Sequence, residues 1–221
     1  MRGSAVDYEF IDLASWPRRS QYDYFKDYCQ PYCNVCTEVD VTGLVDYCHK
    51  KSLSFTRTSI YTVLKAANLV PAFRYRFEND GVVAFHKVDC RLLLLHEDES
   101  LGFCHLPYYA DFKTFHEKAG ELIALAKRQK NSFRPHENRR KDVIHFSVSP
   151  WMYLTSVTHP RNDNKGDIPK IVLAQYVKRE DRLLMPVSVE IHHALMDGFH
   201  ISKLVRKVQK CLDNPYKELP W

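Results

Sequence analysis

Pro186-Val187-Ser188-Val189-Glu190-Ile191-His192-His193-Ala194-Leu195-Met196-Asp197-Gly198-Phe199-His200 is the stretch on which the reading of this chain turns. Met185, Val187, Val189 and Ile191 alternate with Pro186, Ser188 and Glu190, the period of a half-buried β-strand. Carried forward, the parity puts His193 on the apolar face and His192 on the other. Asp197-Gly198 then gives a turn signal. Beyond it Ile201, Leu204, Val205, Val208, Cys211 and Leu212 recur at helical spacing, with Lys203, Arg206, Lys207 and Lys210 between them. A strand that hands an imidazole to a tight turn and a helix presents a catalytic group at the edge of a core.

The remaining chain bounds what that group can serve. A length of 221 residues favours a single large domain, 1–221. The net charge of +5 is mild, and the longest basic cluster, Arg139-Arg140-Lys141, reads as a solvated loop and not as a nucleic-acid arm. No apolar run reaches spanning length and no export signal opens the chain, so neither a membrane nor a nucleic acid is expected as a partner. Seven cysteines cannot all pair within one chain, which suits reduced thiols and a cytoplasmic location. Cys29, Cys33 and Cys36 lack a matching His or Cys pair at zinc spacing, and no metal is expected.

In chain order, Tyr8 to Leu13 reads as a strand or extended arm. Ser15 is a cap and Pro17 a first-turn residue for a helix through Arg19 to Tyr28. A strand follows at Asn34 to Val41, a turn at Thr42-Gly43, and helices at Leu44 to Lys51 and Thr58 to Leu69. Phe73 to Phe77 and Val82 to His86 flank a hairpin signal at Asn79-Asp80-Gly81. Arg91 to His96 is a strand buried on both faces, Phe103 to Leu106 is irregular, and Asp111 to Lys130 is a long amphipathic helix. Arg134 to Lys141 is a polar loop, Val143 to Val148 a strand, and Thr155 to Asp167 a loop. Ile171 to Tyr176 and Leu183 to His192 form a hairpin-like pair. The sum is an α/β (α+β) two-layer sandwich, a mixed β-sheet of six or more strands with helices packed on one face.

Three residues stand out chemically. His193 is sheltered, burial disfavours a charged imidazole, and a neutral one is a general base. Asp197 either orients His193 as in a triad or serves as an ion pair or cap that holds the turn. Ser147, in His145-Phe146-Ser147-Val148-Ser149-Pro150-Trp151, can donate a hydrogen bond to a developing oxyanion. A metal set of His192, His193, Asp197 and His200 is opposed by the strand parity.

These residues together resemble the chloramphenicol acetyltransferase family. The resemblance rests on Asp181 to Pro186 leading into His192-His193-Ala194-Leu195-Met196-Asp197-Gly198-Phe199-His200. Trp16-Pro17-Arg18-Arg19 with its aromatic run and Ser147 followed by Pro150-Trp151 extend it, so that it covers Phe10 to Leu212. The bare His-His-x-x-x-Asp-Gly motif also occurs in peptide-synthetase condensation domains, plant acyltransferases and dihydrolipoyl acyltransferase cores. The resemblance implies the coenzyme A-dependent acyltransferase fold, a homotrimer with interfacial active sites, and direct transfer of acetyl from acetyl-CoA to a hydroxyl. It implies His193 as general base, Ser147 on the oxyanion, and Asp197 paired with Arg18. Tyr176 falls along the pantetheine arm, where Ser147 also meets the donor.

The same comparison exposes departures. Phe25 stands where the antibiotic enzymes carry a tyrosine, Val172 replaces a threonine and His145 an asparagine. Acceptor-pocket positions fall at Tyr24, Phe25, Cys29, Leu101, Phe103, His145 and Val172. Near the nucleotide end Ser54, Thr56 and Gln175 replace charged or aromatic residues, leaving Lys50, Lys51, Arg57, Lys178 and Arg179 as phosphate partners. The expected activity is therefore acetyl transfer to chloramphenicol or a similar small hydroxylated compound. The alternatives are another alcohol or amine acceptor, or a non-catalytic module that binds coenzyme A.

Overall fold

The computed structural model describes residues 7–128, 140–161 and 166–221. Ten strands and six α-helices occur among them. The strands are β1 (Tyr8–Phe10), β2 (Tyr32–Asp40), β3 (Tyr75–Glu78), β4 (Gly81–Phe85), β5 (Asp89–Leu95), β6 (Leu101–Leu106), β7 (Val143–Ser149), β8 (Lys170–Ala174), β9 (Val177–Arg179) and β10 (Arg182–His192). The helices are α1 (Arg19–Phe25), α2 (Thr42–Lys51), α3 (Phe55–Asn68), α4 (Phe112–Arg128), α5 (Gly198–Asp213) and α6 (Pro215–Glu218).

Seven strands form the large mixed sheet, in the order β2-β10-β8-β7-β5-β6 with β9 beside β10. The β5-β7 and β7-β8 pairs are parallel, and the others antiparallel. A separate three-stranded sheet, β1-β4-β3, holds the expected hairpin. Its turn places Asn79 and Asp80 at φ 46° and 61°, the paired left-handed conformation that Asn and Asp tolerate and two-residue hairpins need. Phe73 lies in a 3-10 turn over Pro71–Arg74, so this strand starts later than its alternation suggests.

One face of the large sheet carries the core. Leu92, Phe146, Ile171, Leu173, Met185, Val187, Val189 and Ile191 join it to Leu64, Phe112, Phe115, Ile201 and Leu204 from the helices. Thr42 and Gly43 are not a turn but the first residues of α2. Thr42 donates from its backbone and hydroxyl to Asp40 Oδ1 at 3.0 and 2.6 Å. Ser15 does not cap α1; its hydroxyl bonds Asp12, and the helix ends at Phe25, short of Tyr28. Phe103 to Leu106 is not irregular: it belongs to β6, which pairs with β5 along its length. Ile171 to Tyr176 and Leu183 to His192 do pair antiparallel, β8 with β10 at Val187 to Glu190, and the short β9 between them pairs with the start of β10. The Arg134 to Lys141 reading lies largely outside the described residues.

The central strand β10 departs most from expectation. Ser188, Glu190 and His192, assigned to an open face, are all buried. The segment after β7 folds across them. Asn34 Nδ2 donates to Val157 O at 3.0 Å, and Ser188 Oγ donates to Asn34 Oδ1 at 2.7 Å. Arg161 and Lys170 meet the Glu190 carboxylate, Lys170 at 3.7 Å. The parity is right, but its polar side is a buried polar layer.

Close packing at the start of α2 gives a stability test. A Cβ added at Gly43 would lie 2.9 Å from the Leu212 carbonyl oxygen, a backbone atom at the end of α5. Gly43→Ala is expected to cost about 1–3 kcal/mol by forcing α2 and α5 apart, read as a lower urea midpoint with an unchanged slope.

Candidate active site

His193 is the first residue past β10, and its surroundings fix it from three sides. Its backbone N–H donates to Pro31 O at 2.7 Å. Its carbonyl accepts from Arg18 Nη2 at 3.3 Å. Its ring lies 4.3 Å from the Phe25 ring, tilted by 32°. Nδ1 is enclosed, and no described residue hydrogen-bonds the imidazole.

Asp197 does not touch His193. Its Oδ2 accepts from Arg18 Nη1 at 2.6 Å, and its Oδ1 accepts from Phe199 N–H at 3.0 Å and lies 2.8 Å from His200 Nδ1. It is the N-cap of α5, which satisfies backbone donors that a helix start leaves open. Burial pushes its carboxyl up, but the hydrogen bonds from Arg18 and His200 and the Arg18 charge outweigh that and bring it down to about 2. Burial holds His200 below its usual value, and its Nδ1 also lies 3.3 Å from the Asp197 backbone N–H, so the tautomer sets whether that nitrogen accepts from the backbone or donates to the carboxylate. The geometry therefore favours a structural clasp over a triad. The sequence reading took His200 only as a member of a metal set and missed its place at the helix start, although Asp-x-x-His has the spacing of a capping box. Nor do the histidines converge on a metal: His192 packs against Tyr32 and Phe77. No group of three or more His, Cys, Asp or Glu among the described residues could hold an ion.

Ser147 lies elsewhere, on the polar-side face of the large sheet. Ladder partners share a face, and so do residues two apart on a strand. Ser147 pairs with Val172, His145 with Arg91, Leu93 with Phe103 and Leu95 with Leu101. Leu101, Phe103, His145, Ser147 and Val172 therefore line one surface. Arg91 stacks its guanidinium 4.3 Å from the Phe103 ring. Burial, with the charges of Arg91 and Lys170, pushes His145 down to about 3, and its enclosed Nε2 has no partner.

The register measures how far these two groups are apart. Val172 pairs with both Ser147 and Ser188, and His193 lies five residues beyond Ser188, just past the end of the same strand. That is roughly 16 Å along the strand and roughly 10 Å across two strand spacings. Phe25, with Tyr24 packed on it, stays with His193, and Cys29 is exposed. One chain thus keeps these two candidate groups apart.

A crevice of about 280 Å³ opens at the C-terminal ends of β7 and β8, against the first turns of α3. Phe55, Val148, Leu173, Met185 and Tyr176 form its apolar walls, with the Phe55 and Tyr176 rings 5.2 Å apart, edge to face. Arg57 is not at this crevice. Its Nη1 donates to His116 O at 2.7 Å, and a Cβ on Gly120 would collide with it, so α4 claims the guanidinium. Arg179 is held by Glu38 at 3.1 Å and Lys50 by Asp46 at 2.8 Å, whereas Lys178 is exposed two residues beyond Tyr176.

This architecture is the coenzyme A-dependent acyltransferase fold. It is shared with a probable dihydrolipoamide acetyltransferase from Listeria monocytogenes at a TM-score of 0.64 and 16% identity, covering 91% of each chain. Within that class the chain belongs to the chloramphenicol acetyltransferase family, whose profile matches residues 6–209. A chloramphenicol acetyltransferase from Streptomyces acrimycini is 31% identical over 208 residues, 93% of this chain and 94% of the relative. Chloramphenicol acetyltransferase 3 of Escherichia coli is 24% identical over 216 residues, 96% of this chain and all of the relative. A solved chloramphenicol acetyltransferase superposes at a TM-score of 0.87 with 29% identity, covering 93% of this chain and 99% of that one. The protein is an acyltransferase.

The clasp makes a pH-dependent prediction. A carboxyl depressed from 3.8 to about 2 contributes stability that is complete above the higher value and lost as pH falls through the lower. Asp197→Asn is therefore expected to lower the urea midpoint at pH 7. The gap to wild type should narrow between about pH 4 and pH 2. A gap that stayed constant across that range would mean the charge on Asp197 contributes nothing.

Proposed function

We propose that the protein transfers acetyl from acetyl-CoA to a hydroxyl of chloramphenicol or a similar small molecule, by direct attack and without an acyl-enzyme. The carrying observation is His193: a ring held by stacking and by its own backbone, yet hydrogen-bonded to nothing described in its chain. His193 takes the hydroxyl proton as the acceptor oxygen attacks the thioester carbonyl. Ser147 Oγ–H donates to the tetrahedral oxyanion. Collapse breaks the carbon–sulfur bond, and the departing thiolate recovers the proton from the imidazolium. Asp197 and Arg18 hold the turn and relay nothing.

Base and oxyanion donor must both lie within about 3 Å of the reacting atoms. A separation of roughly 19 Å within one chain, from the strand spacings, supports an oligomer in which His193 of one copy faces Ser147 of the next. A homotrimer satisfies this with closed, repeating contacts. The crevice at Phe55 and Tyr176 suits the donor's pantetheine arm, and Lys178 is the cation placed to meet its phosphates. The domain is taken as one unit over 1–221, acting in the cytoplasm.

A second acceptor reading rests on the pocket walls. Phe25 stacks on His193 and has no hydroxyl, and His145 offers an enclosed, unpartnered nitrogen beside Ser147. These favour an acceptor with a group that pairs with His145. Thiol release from acetyl-CoA across a panel of chloramphenicol, other alcohols and amines separates the two, and no turnover with any acceptor would reduce the protein to a binding module.

Two mutational outcomes follow. His193→Ala is expected to lose about 10²–10⁴ in kcat while the chain remains folded. Co-refolding His193→Ala with Ser147→Ala at equal amounts should restore activity to about one quarter of wild type, because half of the sites draw histidine from an intact donor and half of those an intact serine. No restoration above the parents would place both residues of a site in one copy.

A further inference from the structure

Helix α3 treats its hydroxyls unequally. Thr58 Oγ1 donates to Ser54 O at 2.8 Å, and Thr62 Oγ1 donates to Thr58 O at 2.9 Å. This is the usual way a buried helical hydroxyl is satisfied, on the carbonyl one turn back. Ser59, between them, is 2% exposed and its Oγ has no partner. It lines the crevice beside Phe55, Tyr176 and Val148. A buried hydroxyl left unpaired is costly, and one that borders a cavity asks what completes it.

Resting on the donor assignment above, we propose that Ser59 is a donor-binding residue whose hydroxyl hydrogen-bonds an amide of the pantetheine arm of coenzyme A. The chemistry of the crevice selects this ligand. Its walls are mainly apolar and aromatic, Thr56 and Gln175 are exposed at its edge, and Ser59 supplies a buried hydroxyl without a partner, which suits an extended aliphatic chain interrupted by an amide. Its position selects the part of the ligand. Val148 in its wall follows Ser147 on β7 but faces the opposite side of the sheet, so an arm in the crevice reaches a thioester at Ser147 around the C-terminal ends of β7 and β8, with the nucleotide, at the far end of the arm, outside. Serine at this place leaves room for the chain and supplies a hydroxyl that donates to the amide carbonyl or accepts from its N–H.

The test is Ser59→Ala, read by calorimetric binding of coenzyme A and of 3′,5′-ADP, by kinetics, and by thermal melting. Coenzyme A affinity is expected to fall about tenfold, the loss of one hydrogen bond. KM for acetyl-CoA should rise by about the same factor with kcat within about twofold, because the arm is held equally in ground and transition states. Binding of 3′,5′-ADP, which lacks the arm, should not change. The free variant should melt no lower than wild type, since the hydroxyl supports nothing in the free fold. Unchanged coenzyme A affinity, or a lower melting temperature with unchanged affinity, would overturn the assignment. An equal loss for 3′,5′-ADP would overturn it in favour of the nucleotide in the crevice. A wild-type protein that binds no coenzyme A would sink the donor assignment itself, whereas a wild type that binds it and a variant that binds equally would sink only the role of Ser59.

Discussion

The pair between Arg18 and Asp197 joins positions 179 residues apart in sequence, and much of the site hangs on it. One guanidinium nitrogen takes the Asp197 carboxylate and the other takes the carbonyl of His193. The same carboxylate caps α5. The pair therefore fixes the turn, the direction in which α5 leaves it, and the backbone of the proposed base. It also fixes α1, because Arg18 is the N-cap residue of that helix and Phe25, at its other end, lies on the imidazole. A partly buried charge pair is a weak source of net stability; here its value is positional, since the imidazole stacks on Phe25 but has no hydrogen-bond partner among the described residues to orient it.

Much of this was legible in the sequence because it is local. Alternation through Ile191, the Asp197-Gly198 break and the helical repeat from Ile201 specify strand, turn and helix with no long-range knowledge. The long-range parts were not. Gly102 holds an inward position on β6, between partners that should look apolar, so the strand read as irregular. Thr42-Gly43 has turn composition, yet Gly43 is there because α5 ends against it. Arg57 is a reasonable phosphate ligand by sequence, but α4 arrives from more than fifty residues away with a glycine shaped around its guanidinium.

The polar side of β10 shows the limit most plainly. Polar residues at alternate positions normally mean solvent. Ser188, Glu190 and His192 instead lie under a segment bringing His159 and Arg161, and Glu190 is surrounded by His159, Arg161 and Lys170. Burial raises the Glu190 carboxyl, and those neighbours more than offset it, so the group stays ionised below its usual range. Periodicity reports polarity; it cannot report whether a later loop supplies the compensating charges.

The division of the site explains why its chemistry and its acceptor can diverge. His193, the proposed base, is held by Arg18, Pro31 and Phe25 at one end of β10. Ser147, the proposed oxyanion donor, stands two strands away, among His145, Val172 and Phe103. The crevice proposed for the acyl donor lies in a third place, at the first turns of α3. Each group is fixed by its own backbone ladder, so a change in one wall leaves the others in register. Replacing a hydroxyl at Phe25 or an amide at His145 alters what the acceptor must offer without moving His193 or Ser147. In the proposed reaction acyl transfer rests on the two groups that the ladders and the clasp hold in place. The identity of the acceptor follows from side chains that project between them, and those are free to vary as long as the strands keep their pairing.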